Sequence, residues 1–489
     1  MDSFPEENYQ ISWQERQTFA ENMQPKIGLL FRNKGIEILV YGRTLLNASP
    51  IDIIKAHKAV TLHEDKVLLV RESFPFIDAI NNMRLSPARI DVGKLAYNYY
   101  HSDKSGDLSI SQYLAKELVS IHLQDLSIQN LETKRQDIVL YGFGRIGRVL
   151  ARLLIERSGP NSQLNLRAIV LRPGKSNDDI EKRASLLRRD SVHGAFNGSI
   201  SIDKEQNVIR ANGAFIKVIY ANSPSEIDYT QHGINNALVI DNTGIWTDEE
   251  GLGQHLQAKG VAKVLLTAPG KGDIKNIVFG VNQEMILASD KIISAASCTT
   301  NAITPVLKAV NDEFGIKNGH VETIHSYTND QNLIDNYHPA PRRGRSAPLN
   351  MVISTTGAAQ AVAKALPELK GLLTGNAIRV PTPNVSLAIM NLNLKKLTDK
   401  DTLNDYLRNM SLKSPLQNQI DYTASNEIVS TDLVGSRYAG VVDSQATIVD
   451  EERAVLYVWY DNEFGYSCQV MQVMLEMAGI TVPNLPKSF

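Results

Sequence analysis

The chain has 489 residues, of which 43% are hydrophobic, and a formal net charge of −2. This length allows two or three domains, and the near-neutral charge gives no electrostatic reason to expect nucleic acid or a membrane surface as a partner. No apolar run is long enough to span a bilayer. The two cysteines, Cys298 and Cys468, form neither a disulfide framework nor a CxxC metal site, so we expect no metal and a cytoplasmic location.

The chain up to about residue 135 differs from the rest. Residues 51–60 and 111–121 carry apolar residues at helical spacing, and glycine and proline are sparse. Residues 126–136 are polar enough to form a linker. We therefore expect a mostly helical N-terminal module at 1–135, with a structural or oligomerisation role.

A dinucleotide-binding pattern follows this module. Residues 137–141 predict a short buried strand, and an amphipathic helix pattern begins a few residues later. The glycine-rich run between them allows a tight turn, close approach of a pyrophosphate and close packing of helix on strand. Such a run alone also makes ordinary turns, but strand, GxGxxG and helix together favour a dinucleotide site. Its candidate residues are Gly142, Gly144, Arg145, Ile146 and Gly147.

Strand and helix patterns then alternate, as in an α/β domain. Strands are predicted at 164–171, 237–244 and 262–269, the last two ending in turn residues, with a helix at 178–188 and a hairpin at 207–220. Strand ends in a parallel sheet border the ligand crevice, so Thr267 is a further cofactor-binding candidate.

The rest of the chain predicts a second architecture. Alternating strands at 376–380, 386–394 and 454–460 indicate a largely antiparallel sheet, and 467–477 indicates a closing helix. The expected fold class is α/β. A Rossmann-type NAD(P)-binding domain would span 136–297, completed by a C-terminal helix within 463–489, and an α+β catalytic domain would span 298–462.

The sequence around Cys298 indicates a nucleophilic cysteine. Cys298 lies between a strand pattern and a helix pattern, and the positive end of a helix dipole favours the thiolate. His325 ends a strand-like run downstream, and Cys/His is the ordinary pairing of an activated sulfur nucleophile. An isolated cysteine and histidine are more often inert. After a nucleotide fold, however, the pair indicates oxidation of an aldehyde through a thioester.

Seven motifs occur in a fixed order from about residue 137 to the C-terminus. They are GFGRIGR at 142–148, DSVHG at 190–194, SCTTN at 297–301, HSYTNDQ at 325–331, TGAA at 356–359, RVPTPNVS at 379–386 and WYDNEFGY at 459–466. Together they resemble those of phosphorylating glyceraldehyde-3-phosphate dehydrogenase. No single motif would suffice, but seven in the family's order leave little room for chance.

The resemblance implies a role for each matched residue. Cys298 attacks the aldehyde of glyceraldehyde 3-phosphate, His325 takes the thiol proton, and inorganic phosphate cleaves the resulting thioester to 1,3-bisphosphoglycerate. Residues matching the attacking-phosphate site are Ser297, Thr299, Arg343, Thr356 and Gly357. Residues matching the substrate-phosphate site are Thr328 and Arg379, and those matching the nicotinamide site are Asn462 and Tyr466. The resemblance also implies a homotetramer acting in glycolysis or gluconeogenesis.

Some of these roles have competing explanations. Local backbone capping is a serious rival for each serine or threonine taken alone. The arginines at 342, 343 and 345 are equally compatible with a solvated basic run or a subunit contact.

The chain also departs from the family pattern. The family commonly has a ribose-binding aspartate where this chain has Arg172, and an arginine there can neutralise a 2′-phosphate. Lys175 and Ser176 follow it, whereas Asp178 and Asp179 lie too far along the chain to count as substitutes. We therefore expect NADP to be used alongside or in preference to NAD. The N-terminal module has no counterpart in the usual enzyme.

Two other functions stay open at this point. Erythrose-4-phosphate dehydrogenase shares the Cys/His core, although the TGAA segment and Leu373-Thr-Gly resemble the triose enzyme better. The N-terminal module would also suit a regulatory or binding protein that has kept the fold. All matched catalytic positions are present, which argues against an inactive protein.

Overall fold

A computed structural model describes residues 6–101, 107–122, 135–159, 161–174 and 178–487. Lys175, Ser176 and most of the expected linker at 126–136 therefore lie outside the described residues. The helices are α1 Glu6–Lys34, α2 Pro50–Lys58, α3 Val70–Asn82, α4 Val92–His101, α5 Ile110–Glu117, α6 Arg145–Glu156, α7 Asp179–Arg188, α8 Glu249–Gly253, α9 Cys298–Phe314, α10 Ala358–Ala365, α11 Lys400–Lys413 and α12 Phe464–Met477.

The strands fall in three main sheets and one short hairpin. They are β1 Ile36–Val40, β2 Arg43–Thr44, β3 Ala88–Asp91, β4 Gln136–Tyr141, β5 Leu164–Leu171, β6 Arg189–Asp190, β7 Gly194–Ala195, β8 Ile200–Asp203, β9 Val208–Ala211, β10 Ala214–Tyr220, β11 Ala237–Asp241, β12 Val261–Leu266, β13 Ile292–Ser294, β14 Ile316–Ser326, β15 Val352–Thr355, β16 Leu373–Val380, β17 Ser386–Leu394, β18 Ile420–Thr423, β19 Gly440–Asp443, β20 Ile448–Asp450, β21 Arg453–Tyr460 and β22 Asn484–Leu485. The three sheets differ in how many of their neighbouring strands are parallel and how many are antiparallel.

The chain divides into two compact units. Unit 1 comprises Met1–Lys134, Gly159–Ser162 and Thr481–Phe489, and unit 2 comprises Arg135–Ser158 and Gln163–Ile480. The sequence analysis grouped residues 463–489 with the dinucleotide-binding domain; of these, 463–480 belong to unit 2 and 481–489 to unit 1. The division into three domains stays a prediction.

Unit 1 is helical, as expected, but it also contains a sheet that the sequence analysis did not foresee. The order is β2-β1-β3-β22, with β1, β3 and β22 parallel to one another. All five residues of β1 are buried, so no alternation marks this strand in the sequence. Helix α2 begins with a capping box at Ser49, which accepts from the backbone N of Asp52. The C-terminal β22 forms one edge of the sheet.

Unit 2 contains the expected Rossmann-type sheet. Its order is β13-β12-β11-β4-β5-β10-β9-β8, and β13 through β10 are parallel. The strand predicted at 164–171 matches β5, and the segment predicted at 237–244 contains β11, which ends at Asp241. The strands β9 and β10 form the predicted hairpin, with Asn212 at a positive φ of 48°. The carboxyl ends of β4, β5 and β11 meet at one edge, where a dinucleotide binds in this fold.

The second sheet of unit 2 is largely antiparallel, as expected. Its order is β15-β16-β14-β17-β21-β19-β18, and only the β14–β16 and β18–β19 pairs are parallel. Helix α9 packs through a buried apolar stripe formed by Ile303, Val306, Leu307 and Val310. This stripe fixes the start of α9, and therefore Cys298, beside the sheet. Within the described ranges, each helix is too short or too polar to cross a bilayer.

Candidate functional site

The glycine-rich turn has the geometry that a dinucleotide needs. Gly142 follows β4 at φ +89°, and a Cβ on Gly147 would lie 2.4 Å from the carbonyl oxygen of Gly142. Gly144 caps the N-terminus of α6, and a Cβ there would meet nothing within 4 Å. The backbone is thus open to a phosphate at the positive end of the helix, so these residues fit the cofactor group.

Arg145 forms ion pairs with residues of two other elements of the protein. Its guanidinium pairs with Asp190 and, through two bonds, with Glu463. Nε2 of His193 lies 2.9 Å from the same Glu463 carboxylate. This network ties the start of α6 to the start of α12. Ile146 is half-buried beside it.

The other cofactor candidates are held by hydrogen bonds to residues of other elements. The Thr267 hydroxyl donates to the carbonyl oxygen of Asp241 at 3.0 Å, joining the ends of β11 and β12. Oδ1 of Asn462 accepts from the Ser386 hydroxyl at 2.9 Å, and the Tyr466 hydroxyl donates to the carbonyl of Ala296 at 2.9 Å. Tyr466 therefore reaches the segment that immediately precedes Cys298.

Arg172 lies exposed at the carboxyl end of β5. Its charge acts on the neighbouring Tyr141 at the end of β4, although burial outweighs it and raises the pKa of Tyr141 to about 12. The guanidinium is thus at the edge of the sheet where the adenosine ribose binds in dinucleotide folds.

Cys298 begins α9, as the sequence predicts. Ser297 is the N-cap and accepts from the backbone N of Thr300 at 3.0 Å, while Ala296 at φ +55° turns the chain into the helix. The half-buried Sγ of Cys298 lies 3.6 Å from Nε2 of His325, which is the penultimate residue of β14. The two residues that the sequence analysis singled out are therefore in contact.

The electrostatics of this pair differ from the sequence expectation. Burial raises the pKa of the Cys298 thiol, against the opposing effects of Arg379 and the Thr299 backbone N–H. Burial, followed by the charge of Arg379, lowers the pKa of His325 to about 3. The helix start alone therefore does not hold a thiolate in this structure, because desolvation of the charged sulfur is the larger effect.

Arg379 lies directly behind the histidine. His325 and Arg379 are register partners in the parallel strands β14 and β16. Nη1 of Arg379 is 2.9 Å from Nδ1 of His325 and donates to the carbonyl oxygen of Ser326 at 3.1 Å. That carbonyl also lies 2.7 Å from Nδ1, so a ring that donates to it presents a bare Nε2 to the thiol.

Some of the residues expected to bind phosphate already form hydrogen bonds within the protein. The Thr299 hydroxyl bonds to the Tyr460 hydroxyl at 3.0 Å, and Thr356 accepts from the backbone N of Ala358 at 3.2 Å. Gly357 is exposed at the N-cap of α10, and Thr328 is half-buried after β14.

Arg343 belongs to the same neighbourhood. It donates to the Ser354 hydroxyl at 2.8 and 3.1 Å and to Asp330 at 2.5 Å. Its charge also acts on His325 and Arg379, so the two expected phosphate arginines lie around one region.

Sequence reasoning missed the groups that hold these side chains. Tyr460 packs edge-on to the His325 ring at 6.0 Å, and Asp330 holds Arg343. Both lie inside motifs quoted above, which was the one indication available. Their contacts depend on strand register and loop closure, which a motif does not specify.

Comparison with known proteins gives two matches to family models. The model described as "Glyceraldehyde 3-phosphate dehydrogenase, NAD binding domain" matches residues 136–249. The model described as "Glyceraldehyde 3-phosphate dehydrogenase, C-terminal domain" matches residues 297–462. Apart from residues 159–162, both matches lie in unit 2, and together they cover more than half of the chain.

Individual relatives fall into two groups by coverage. A "Glyceraldehyde-3-phosphate dehydrogenase-like protein" of Pseudomonas aeruginosa is 59% identical over 95% of this chain and all of its own length. The glyceraldehyde-3-phosphate dehydrogenases of Zymomonas mobilis and of another Pseudomonas aeruginosa strain are 39% and 40% identical over 70% of this chain and 98% of their own lengths. The first alignment therefore extends into unit 1. The other two proteins are aligned over nearly their whole length to 70% of this chain.

Proposed function

Since the chain belongs to the glyceraldehyde-3-phosphate dehydrogenase family, we propose that it catalyses the phosphorylating oxidation of glyceraldehyde 3-phosphate with NAD or NADP. The single observation that carries this proposal is the 3.6 Å contact between Sγ of Cys298 and Nε2 of His325. A nucleophile within reach of a base is the arrangement that thioester chemistry needs. The open glycine turn at Gly144 supports dinucleotide binding in the same unit.

In this proposal Cys298 and His325 divide the chemistry. Nε2 of His325 takes the thiol proton as Sγ bonds to the aldehyde carbon, and the proton then passes to the new alkoxide to give a hemithioacetal. The same nitrogen next removes the hydroxyl proton while the carbon loses hydride, which leaves a thioester. A nicotinamide dinucleotide, when bound, supplies the hydride acceptor. A phosphate oxygen then attacks the thioester carbon, and the thiolate departs.

The arginines bind the two anionic groups in the proposal. Arg379 would hold the substrate's own phosphate, together with Thr328, and Arg343 would hold inorganic phosphate with the hydroxyl and backbone groups near Ser297, Thr299, Thr356 and Gly357. Both guanidiniums already face protein acceptors, and a phosphate offers a stronger charge-assisted partner. Asn462 and Tyr466 would position the nicotinamide from the start of α12.

The test is a spectrophotometric assay of the purified full chain with both cofactors, with and without phosphate. We expect reduction of NAD or NADP that depends on glyceraldehyde 3-phosphate and phosphate, and its loss in Cys298→Ser with cofactor binding retained. A wild type that oxidises only erythrose 4-phosphate would favour that related activity. A wild type inactive on both aldehydes, or a Cys298→Ser variant as active as wild type, would contradict the proposal.

A further inference from the structure

Gly174, shortly after β5, lies directly against a carboxylate that sequence spacing had set aside, that of Asp179. A Cβ on Gly174 would lie 2.5 Å from Oδ1 of Asp179 and 2.8 Å from its Cγ. Gly174 is two residues beyond Arg172, which directly follows β5. Asp179, which lies against Gly174, is therefore near the end of this strand. A carboxylate therefore accompanies the arginine at the edge of the sheet where the adenosine ribose of a dinucleotide binds.

This carboxylate is occupied by two partners from its own unit. The Tyr220 hydroxyl donates to Oδ2 of Asp179 at 3.1 Å, and Nε of Arg183 lies 3.4 Å from Oδ1. The Asp179 side chain is only 15% exposed. Tyr220 ends β10 and is the register partner of Leu171, the residue just before Arg172. The adjacent strand thus supplies the group that restrains the carboxylate.

The restraint matters for the choice between the two cofactors. A free carboxylate at this place accepts the ribose hydroxyls of NAD and repels the 2′-phosphate of NADP. A carboxylate that already accepts from a hydroxyl and faces a guanidinium has less capacity to accept from a ribose, and part of its charge is neutralised. Arg172, exposed at the end of β5, is then the charge that a 2′-phosphate would meet.

We propose that Asp179 is a specificity-determining carboxylate of the cofactor site, and that Tyr220 and Arg183 restrain it so that the ribose end of the site accepts NADP. The inference rests on the proposed use of NADP. In this inference, acceptance of NADP depends on the restrained carboxylate of Asp179 as well as on Arg172. Releasing Asp179 should therefore shift the preference toward NAD.

The test measures binding, which is independent of turnover. Isothermal titration of the full chain with NAD, NADP and 2′,5′-ADP gives the ratio of dissociation constants for wild type and Tyr220→Phe. We expect the ratio in Tyr220→Phe to move about tenfold toward NAD, the effect of roughly one pKa unit of charge interaction. Adding Asp179→Asn to that variant should abolish the shift, since no charge remains to be released.

Controls separate this inference from the proposed function. Asp178→Asn, which removes a neighbouring exposed carboxylate paired with Lys182, should leave the ratio unchanged. Arg183→Gln removes the second partner of Asp179 and serves as the alternative variant if Tyr220→Phe does not fold. A wild type that binds NADP, with a ratio unmoved by either variant, overturns the inference alone. A wild type that binds only NAD, unaffected by Arg172→Asp, overturns the proposed use of NADP and this inference with it.

Discussion

Nε2 of His325 faces Sγ of Cys298 at 3.6 Å, while Nδ1 of the same ring lies 2.7 Å from the carbonyl oxygen of Ser326. Donation from Nδ1 to this carbonyl leaves Nε2 free to accept a proton, whereas Nη1 of Arg379, which can only donate, competes for Nδ1 from 2.9 Å. Burial, then Arg379, lowers the pKa of the ring to about 3, so an uncharged imidazole faces the thiol at neutral pH. At rest the pair is therefore a neutral imidazole facing a thiol, and not a pre-formed thiolate–imidazolium pair.

We expect His325→Asn to lower turnover by roughly a hundredfold or more, the range for loss of a general base. Asparagine keeps a polar side chain of similar reach but cannot take up the thiol proton. Steady-state rates at saturating aldehyde, phosphate and cofactor measure the effect. Turnover within a few-fold of wild type would remove His325 from the proton transfer.

Arg343→Ala should weaken the use of inorganic phosphate, and Arg379→Ala the use of the phosphorylated aldehyde. Each loses a charge-assisted contact of about 1.5–3 kcal/mol, roughly 10–100-fold in KM. Because Arg379 also contacts His325, its variant should lower kcat as well. Kinetics with either ligand varied separates the two arginines. Equal defects for both ligands in both variants would refute the assignment to two sites.

Arg172→Asp should reverse the cofactor preference. The substitution replaces a cation at the end of β5 with a carboxylate that accepts ribose hydroxyls and repels a 2′-phosphate. The ratio of kcat/KM for NADP to that for NAD measures the change, and Arg172→Gln separates loss of the cation from gain of the anion. If wild type used NAD alone and neither variant altered the ratio, Arg172 would have no part in recognition.

Unit 1 should lose stability as the pH falls from about 6.5 to about 4. Buried His57 has its pKa lowered to about 4 by burial, and its Nδ1 and Nε2 lie 2.7 Å from the Ile53 carbonyl and 2.6 Å from the Ser73 hydroxyl. The unfolded chain, with a histidine pKa near 6.5, binds more protons than the folded chain in this window. The expected loss is up to about 1.4 kcal/mol per pH unit.

Urea unfolding of the full chain across this pH range, followed by hydrogen exchange in unit 1, measures the slope. His57→Gln removes the titrating ring and should flatten it, although the variant is less stable at pH 7. A slope equally steep in the variant would assign the acid sensitivity to other groups.

The C-terminal strand should contribute to unit 1 and not to the chemistry of unit 2. Arg89 donates from its backbone N to the Pro483 carbonyl at 2.8 Å, and Leu485 is 3% exposed. Leu485→Ala should cost about 2–5 kcal/mol in unit 1, as for other buried leucines. Limited proteolysis of unit 1 and the dehydrogenase assay give the two readouts. A loss of activity with unit 1 still protected would contradict the prediction.

Local patterns in the sequence predicted most of unit 2 correctly. The strand before Gly142, the helix that starts at Cys298 and the strand that carries His325 each depend on residues within about one element length. Periodicity and turn residues are sufficient for such features. The motifs then supplied the candidate residues, of which Cys298 and His325 are in contact.

Other features depend on residues far apart in the chain. The sheet of unit 1 was missed because β1 is buried on both faces and β22 has only two residues. Asp179 was set aside by its spacing from Arg172, yet its carboxylate lies against Gly174, two residues beyond Arg172. The contact of Arg379 with His325 follows from parallel register, which neither motif encodes.

The position of β22 has a consequence for synthesis on the ribosome. Arg89 of β3 and Asn484 of β22 bond at 3.3 Å although they lie 395 residues apart. At about 5–20 residues per second, translation leaves this edge of the first-made unit unpaired for roughly 20–80 s. An open strand edge is a template for aggregation during that interval. Unit 1 is thus expected to need protection by a chaperone until β22 emerges.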